Sequence, residues 1–426
     1  MAAAVLFFSL LILIFIGVPI SISLMLSSAL TIFAFGTATP LFQVRSIVTA
    51  VSSYPLLAIP LFILAGELMS TGGISKRLIK LADVWLCNIK ADLAYVTVAA
   101  STFFAAISGS APATVAAIGS NVIPEMEKRG YPREYSTGLA VSAGMVGVLI
   151  PPSIPFVMYG ISSGESVSTL FMAGVIPGLL FSFVFCIIAR ILYKRQNIVE
   201  IKHPFNLKTA LRASVDGIWA ILAPIIVLGG IYGGYFSPTE AAAVSVFYSL
   251  IVGFFIYREM NFKQMVDGFV RATKTTATCM GLVAFASTFG RLMTLEQVPN
   301  LIASFITGIS TNRYVVLLLV NLFLIVVGMF FETTAAIIIL TPILVPIVTA
   351  VGIDPIHFGV ILTANLAVGF VTPPLGVDLF VGSGISGLKV EKVIQAVIPY
   401  MIGMFVVLFL INVFEGLSLF LPNLLL

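Results

Sequence analysis

Charge is scarce in this sequence. Only 9% of the residues are charged against 59% hydrophobic, which argues against a water-soluble domain. Apolar runs recur from end to end, as in a polytopic membrane protein. Histidine and cysteine are sparse too. His203 and His357 stand alone, and Cys87, Cys186 and Cys279 are far apart, which argues against a disulfide framework or a His/Cys metal site. A formal net charge of +4, dispersed along the chain, offers no nucleic-acid surface. No lysine or arginine precedes Arg45, so the opening run "MAAAVLFFSLLILIFIGVPI" lacks the basic flank of a cleaved signal and is expected to remain as a membrane segment.

Proline and glycine are present where a membrane helix should exclude them. "GVLIPPSIPFVMYG" (Gly147 to Gly160) and "GFVTPPLGVDLFVG" (Gly369 to Gly382) lie 222 residues apart. The same shift superposes Pro124 on Pro346 and Pro177 on Pro399, while "GELMSTGGI" from Gly66 matches "GRLMTLEQV" from Gly290 with two further residues of drift. "GVPISIS" near Pro19 likewise sits opposite "FSPTEAA" near Pro238. Apolar composition alone would match Leu and Val at random. It explains ordered Gly and Pro matches poorly, because both are penalised in helix interiors.

The chain is therefore expected to be all-α, with two repeats at 1–195 and 214–426 joined by a cytoplasmic linker at 196–213. Each repeat holds five spans. In the first these fall near 2–17, 19–36, 48–70, 136–162 and 168–190, and in the second near 214–235, 240–257, 275–292, 356–385 and 394–416. Interrupted regions at 93–122 and 314–345 read as re-entrant hairpins, since arms of about 15 residues fall short of about 30 Å of hydrocarbon. Five crossings is an odd number, so the second repeat is inverted. Placing the loops at 71–92, 123–135, 190–213, 258–274 and 386–393 on one face gathers 19 of the 22 basic residues there. That face is cytoplasmic by the positive-inside bias, and both termini lie outside. A single long span over 2–36 would instead move the N-terminus inside.

Inverted repeats with discontinuous helices suit secondary transport, because a break presents backbone carbonyl and N–H groups at membrane depth. The double prolines free carbonyls around Gly147–Pro152 and Gly369–Pro374. Opposite them lie the hairpin tips "ISGSAPAT" (107–114) and "FFETTAAI" (330–337), rich in small hydroxyl residues. Each hydroxyl could merely bond back to its own helix. Glu332 and Asp378 are acids within apolar segments, where charge is costly unless it faces a cavity or a partner; either could instead cap a half-helix. Glu67 and Glu240, at segment ends, read as structural.

"GVLIPPS", "SGSAPATVAAIG", "GMFFETTAAIIILTPILVPI", "GIDPIHFGVILTANLAVGFVTPPLGVDLFV" and "FSPTEAAAV" resemble the large membrane subunit of TRAP (tripartite ATP-independent periplasmic) transporters over nearly the whole chain. The resemblance implies an elevator-type protein of the bacterial inner membrane, with a mobile transport domain against a scaffold. It also implies sodium-coupled import of an organic acid such as sialic acid or a C4-dicarboxylate, with a small membrane subunit and a periplasmic substrate-binding protein as partners on separate chains. Carried onto this sequence, one sodium site would use Ser108, Ser110, Gly147, Ile150 and Pro152. A second would use Gly328, Thr334, Gly369, Thr372 and Leu375. Substrate would meet Ser110, Thr114, Ser153, Glu332, Thr333 and Asp378. Glu332 stands where the family often has Asp, and Asp378 where Asn is common. A self-sufficient sodium/carboxylate symporter remains an alternative. So does an intramembrane enzyme, although no His, Cys or Lys lies near Ser108 or Ser110 in sequence.

Overall fold

The computed structural model describes residues 1–196, 198, 205–298, 301, 308, 310 and 312–425. Among them every regular element is helical. The first half holds α1 (Ala2–Phe15), α2 (Ile20–Phe35), α3 (Pro40–Val51), α4 (Ala58–Thr71), α5 (Ile74–Leu86), α6 (Asp92–Ser108), α7 (Ala111–Lys128), α8 (Arg133–Gly144), α9 (Ile154–Ser163) and α10 (Val167–Arg195). The second holds α11 (Leu207–Tyr232), α12 (Pro238–Ile251), α13 (Phe262–Leu295), α14 (Arg313–Phe330), α15 (Thr333–Ala350), α16 (Pro355–Gly369), α17 (Val377–Ser386), α18 (Val390–Val413) and α19 (Gly416–Leu425). Eight helical stretches among the described residues are long and apolar enough to cross a membrane.

Helix starts recur at the expected offset, Ala111 with Thr333 and Arg133 with Pro355. Each proline break follows a buried helix. α8 passes through one 3-10 turn, Met145–Val148, before Ser153 caps α9 with its side chain on Phe156 N. α16 ends at Gly369, and α17 begins at Val377. The Pro151–Pro152 and Pro373–Pro374 peptide bonds are both cis. Pro124, Pro177, Pro346 and Pro399, by contrast, sit inside helices that continue.

Residues 2–36 form two helices, as the spans at 2–17 and 19–36 anticipate, parted at Gly17, whose φ of 91° suits glycine, and at Pro19, which caps α2. Several other boundaries differ from the sequence reading. The span expected at 48–70 is interrupted between Val51 and Ala58 by a short 3-10 turn holding Pro55. Its repeat-mate is absorbed into α13, unbroken over 34 residues. The hairpin arms are longer than expected, at 17 to 18 residues each, because each tip needs only two residues outside the helices. At the first tip one of them, Gly109, takes a φ of 61°. The linker is helical from Leu207, where Asn206 accepts from Lys208 N at 3.0 Å; residues 197 and 199–204, His203 among them, lie outside the described residues. Two helices were not expected, α5 and α19.

α8 and α16 form the centre, buried along almost their whole length. The halves interlock around them, since α9 packs on α15 while α17 packs on α7. A second group, α2, α3, α4, α12 and α13, packs together, and α13 touches α15 at the boundary. At the base of the first hairpin the buried Arg129 guanidinium reaches Asp83 at 2.7 Å and Asp92 at 3.5 Å, tying α5 to both hairpin arms.

Candidate functional site

The first hairpin tip is pinned to the first break. Thr114 Oγ1 donates to the Ser110 carbonyl at 2.8 Å and lies 2.9 Å from Ser108 Oγ. Ile154 N donates to the Gly109 carbonyl at 3.3 Å. Gly147 is backed directly against these oxygens, for a Cβ there would stand 2.5 Å from Ser110 O and 2.6 Å from Thr114 Oγ1. The Pro152 carbonyl lies beside Gly109, 2.7 Å from an added Cβ, and the Ile150 side chain packs on Gly178 of α10. Ser153 Oγ donates to Val148 O and is fully buried.

The second half repeats the close approach with backbone alone. A Cβ on Gly369 would meet Gly328 O at 2.5 Å. Thr372 Oγ1 donates to Val368 O at 2.7 Å. Glu332 caps α15, accepting from Ala335 N at 3.1 Å and from Thr334 Oγ1 at 2.8 Å. The capping alternative thus describes Glu332 but not Asp378: α17 has no side-chain cap, and neither carboxyl oxygen of the buried Asp378 has a partner among the described residues. Leu375 is 52% exposed. Glu240 closes a capping box with Ser237, and Glu67 pairs with Arg271 at 2.9 Å.

Both tips and both breaks meet at one cavity of about 120 Å³. Ser110, Glu332, Thr333 and Thr334 line it; Ser108, Thr114, Gly147, Ile150, Pro152, Ser153, Gly328, Gly369, Thr372, Leu375 and Asp378 are not in its lining. Four helix N-termini converge there, represented in the lining by Pro112 of α7, Ile154 of α9, Thr333 of α15 and Val377 of α17. Each N-terminus carries partial positive charge and spare N–H donors. Thr333 Oγ1 has no partner among the described residues. The sequence reading missed Thr275 and Cys279 of α13 and Ile63 of α4, which complete the wall. The only signal for the first two was the hydroxyl-rich stretch "TKTTATC".

Two larger cavities flank the central one. A cavity of about 690 Å³ beside Glu67 and Lys76 shares Ile63, Ser110, Pro112, Ile154 and Thr275 with it. Another, of about 360 Å³ beside Arg291, begins one helical turn further along α9, α13 and α15, at Met158, Val283 and Ile338. At the sequence offsets of 224 and 222 residues, Gly66, Glu67, Ser70, Ala116 and Ser120 of the larger match Gly290, Arg291, Thr294, Ile338 and Pro342 of the smaller.

Apolar helices around an interrupted polar centre, with cavities to either side, define a polytopic membrane transporter. The chain belongs to the DctM component family of tripartite ATP-independent periplasmic transporters, whose model matches residues 7–417. It is 45% identical over 405 residues to an isethionate TRAP transporter permease protein, DctMQ, of Oleidesulfovibrio alaskensis, covering 95% of this chain and 64% of that protein. The chain thus spans less than two thirds of that relative's length. It is 40% identical to the C4-dicarboxylate TRAP transporter large permease protein DctM of Pseudomonas aeruginosa, over 94% of each chain. With the sialic acid TRAP transporter large permease protein SiaM of Vibrio cholerae it shares 34% identity, over 97% of this chain and 96% of that one. Among solved structures, the YdaH transporter of Alcanivorax borkumensis has a similar fold, with a TM-score of 0.64 at 15% identity over 87% of each chain.

Proposed function

We propose that this chain is the permease subunit that carries a small organic acid across the bacterial inner membrane, driven by sodium, with a small membrane subunit and a periplasmic binding protein as partners. The convergence of four helix N-termini on the central cavity carries the reading. Such a site holds an anion without a lysine or arginine. The relatives' names supply the substrate class: a sulfonate, a dicarboxylate or a sialic acid.

Sodium would be held by oxygen atoms alone, from Ser108, Ser110, Gly147, Ile150 and Pro152 in one site and Gly328, Thr334, Gly369, Thr372 and Leu375 in the other. Support comes from the glycine contacts, since Gly147 and Gly369 each bring a break within touching distance of a hairpin carbonyl; hard cations are bound by such oxygens. Ser110, Thr114, Ser153, Glu332, Thr333 and Asp378 would form or support the substrate site. The two repeats would be inverted, placing the larger cavity on the lysine-rich cytoplasmic face and the Arg291 cavity outside. Hairpins and broken helices would move as one body against α3, α4, α12 and α13, and the unequal cavities at matching sequence positions support such an exchange.

The test is uptake into liposomes holding this chain and its small membrane subunit. Isethionate, succinate and sialic acid would each be supplied with and without sodium and the binding protein. Uptake that needs both is expected. Sodium-independent uptake would remove the coupling, and uptake of free acid without the binding protein would favour a self-sufficient symporter.

A further inference from the structure

The flanking cavities are alike in position and opposite in charge. In the larger, Glu67 is held by Arg271 at 2.9 Å, with Lys76 nearby. At the equivalent position of the smaller stands Arg291, the single charged residue in its lining. Arg291 has no carboxylate partner among the described residues; its Nη1 donates to Ser46 Oγ at 3.4 Å, and Ser46 is fully buried on α3. Arg291 itself is exposed and lines the cavity wall, held to α3 by that one bond. Thr49, Ser53 and Ser162 also line the cavity, while the Ser287 and Thr294 hydroxyls donate to the Ala284 and Gly290 carbonyls of their own helix.

A guanidinium with free N–H groups and surrounding hydroxyls suits a carboxylate or sulfonate, which it can grip with two parallel hydrogen bonds. The volume, about 360 Å³, falls within the range of small-molecule pockets. No lysine or arginine lines the central cavity, so an arriving acid would exchange a guanidinium for helix N-termini and sodium as it moves one turn along α9, α13 and α15. On the opposite side the equivalent wall position is acidic and already paired with Arg271, and the lysine of that lining, Lys76, lies 4.0 Å from Glu259.

We propose that the Arg291 cavity is an anion-capture site, which receives the acidic group of the substrate before it enters the central cavity. The proposal rests on the reading that the chain carries an organic anion, and two measurements separate their failures. The first needs no transport. In the full chain with its small subunit, and with Cys87, Cys186 and Cys279 replaced by Ser, Thr294→Cys provides a thiol one turn from Arg291. Its reaction rates with sulfonatoethyl methanethiosulfonate, an anion, and with the trimethylammonium analogue are compared. The anionic reagent should be favoured. Arg291→Gln should lower the anion-to-cation rate ratio about tenfold, whereas Arg291→Lys and Lys76→Gln should leave it within twofold. An unchanged ratio in Arg291→Gln, or a thiol that neither reagent reaches, overturns the proposal.

The second is uptake of isethionate and succinate. Arg291→Gln should raise KM at least fivefold at unchanged sodium half-saturation, with Arg291→Lys near the wild type. Equal losses in both variants, confined to the maximal rate, would mean a structural role and overturn it. If the wild type takes up neither acid, the transport reading fails while the rate ratio still judges the anion site.

Discussion

Gly147 and Gly369 are glycines for want of room: the nearest backbone atoms stand about 2.5 Å from where a Cβ would lie, and no real Cβ sits so close. Replacing either by Ala should push tip and break apart and raise the sodium concentration for half-maximal uptake about tenfold, roughly 1.4 kcal/mol of ion binding. Thr372→Ala, which removes a hydroxyl and a methyl group and adds no bulk, should raise it about threefold. Sodium titrations of uptake would check all three, and unchanged half-saturation would take these residues out of the sites. Glu332 and Glu240 are both helix caps, but only Glu332 lines the central cavity. Glu332→Gln should therefore lower uptake at least tenfold and Glu240→Gln less than twofold. The tips and breaks were legible in the sequence because glycine, proline and acids are conspicuous in apolar segments, and of the site residues named there Ser110, Glu332, Thr333 and Thr334 line the cavity. Thr275 and Cys279 were not legible, since a hydroxyl and a thiol inside an unbroken helix carry no such signature.

Among elements, the hairpins and breaks could be read from the sequence for the same reason, while α5 could not. It is amphipathic, with Lys76, Arg77 and Lys80 along it, so a search for apolar runs passes over it as a loop. α13 hid the other way: the sequence reading begins its span at 275, where the apolar stretch begins, yet the Asn261–Gln264 capping box starts the helix at Phe262. The boundary between α13 and α15 is where the proposed motion is most exposed. A Cβ on Gly290 of α13 would lie 3.7 Å from Pro342 Cγ of α15. A disulfide between Gly290→Cys and Pro342→Cys should stop uptake, and reduction should restore it. A disulfide between Val141→Cys and Gly382→Cys, which joins α8 to α17 inside the proposed moving body, should leave uptake within about twofold. Continued uptake with the first bridge fully formed would replace a moving body with local gating. At the hairpin base, Arg129→Met withdraws the buried cation shared by Asp83 and Asp92. It should cost about 3 kcal/mol, read as a lowered Tm in detergent.

For the whole molecule, the sequence supplied a repeat and a sidedness of charge, and the structure adds three cavities in file along the contact between two helix groups. Their contents could not be read beforehand, because a cavity is a property of packing between distant segments: Ile63, Thr275 and Pro112 meet only in the fold. The central claim is that the small cavity between the tips binds the transported acid together with sodium. Native Cys279 lies in its wall and reports on it directly. With Cys87 and Cys186 replaced by Ser, the rate at which N-ethylmaleimide modifies Cys279 should fall at least fivefold when sodium and the transported acid are both present, and little with either alone. A rate that ignores both, in a preparation that still takes up the acid, would place the binding site elsewhere.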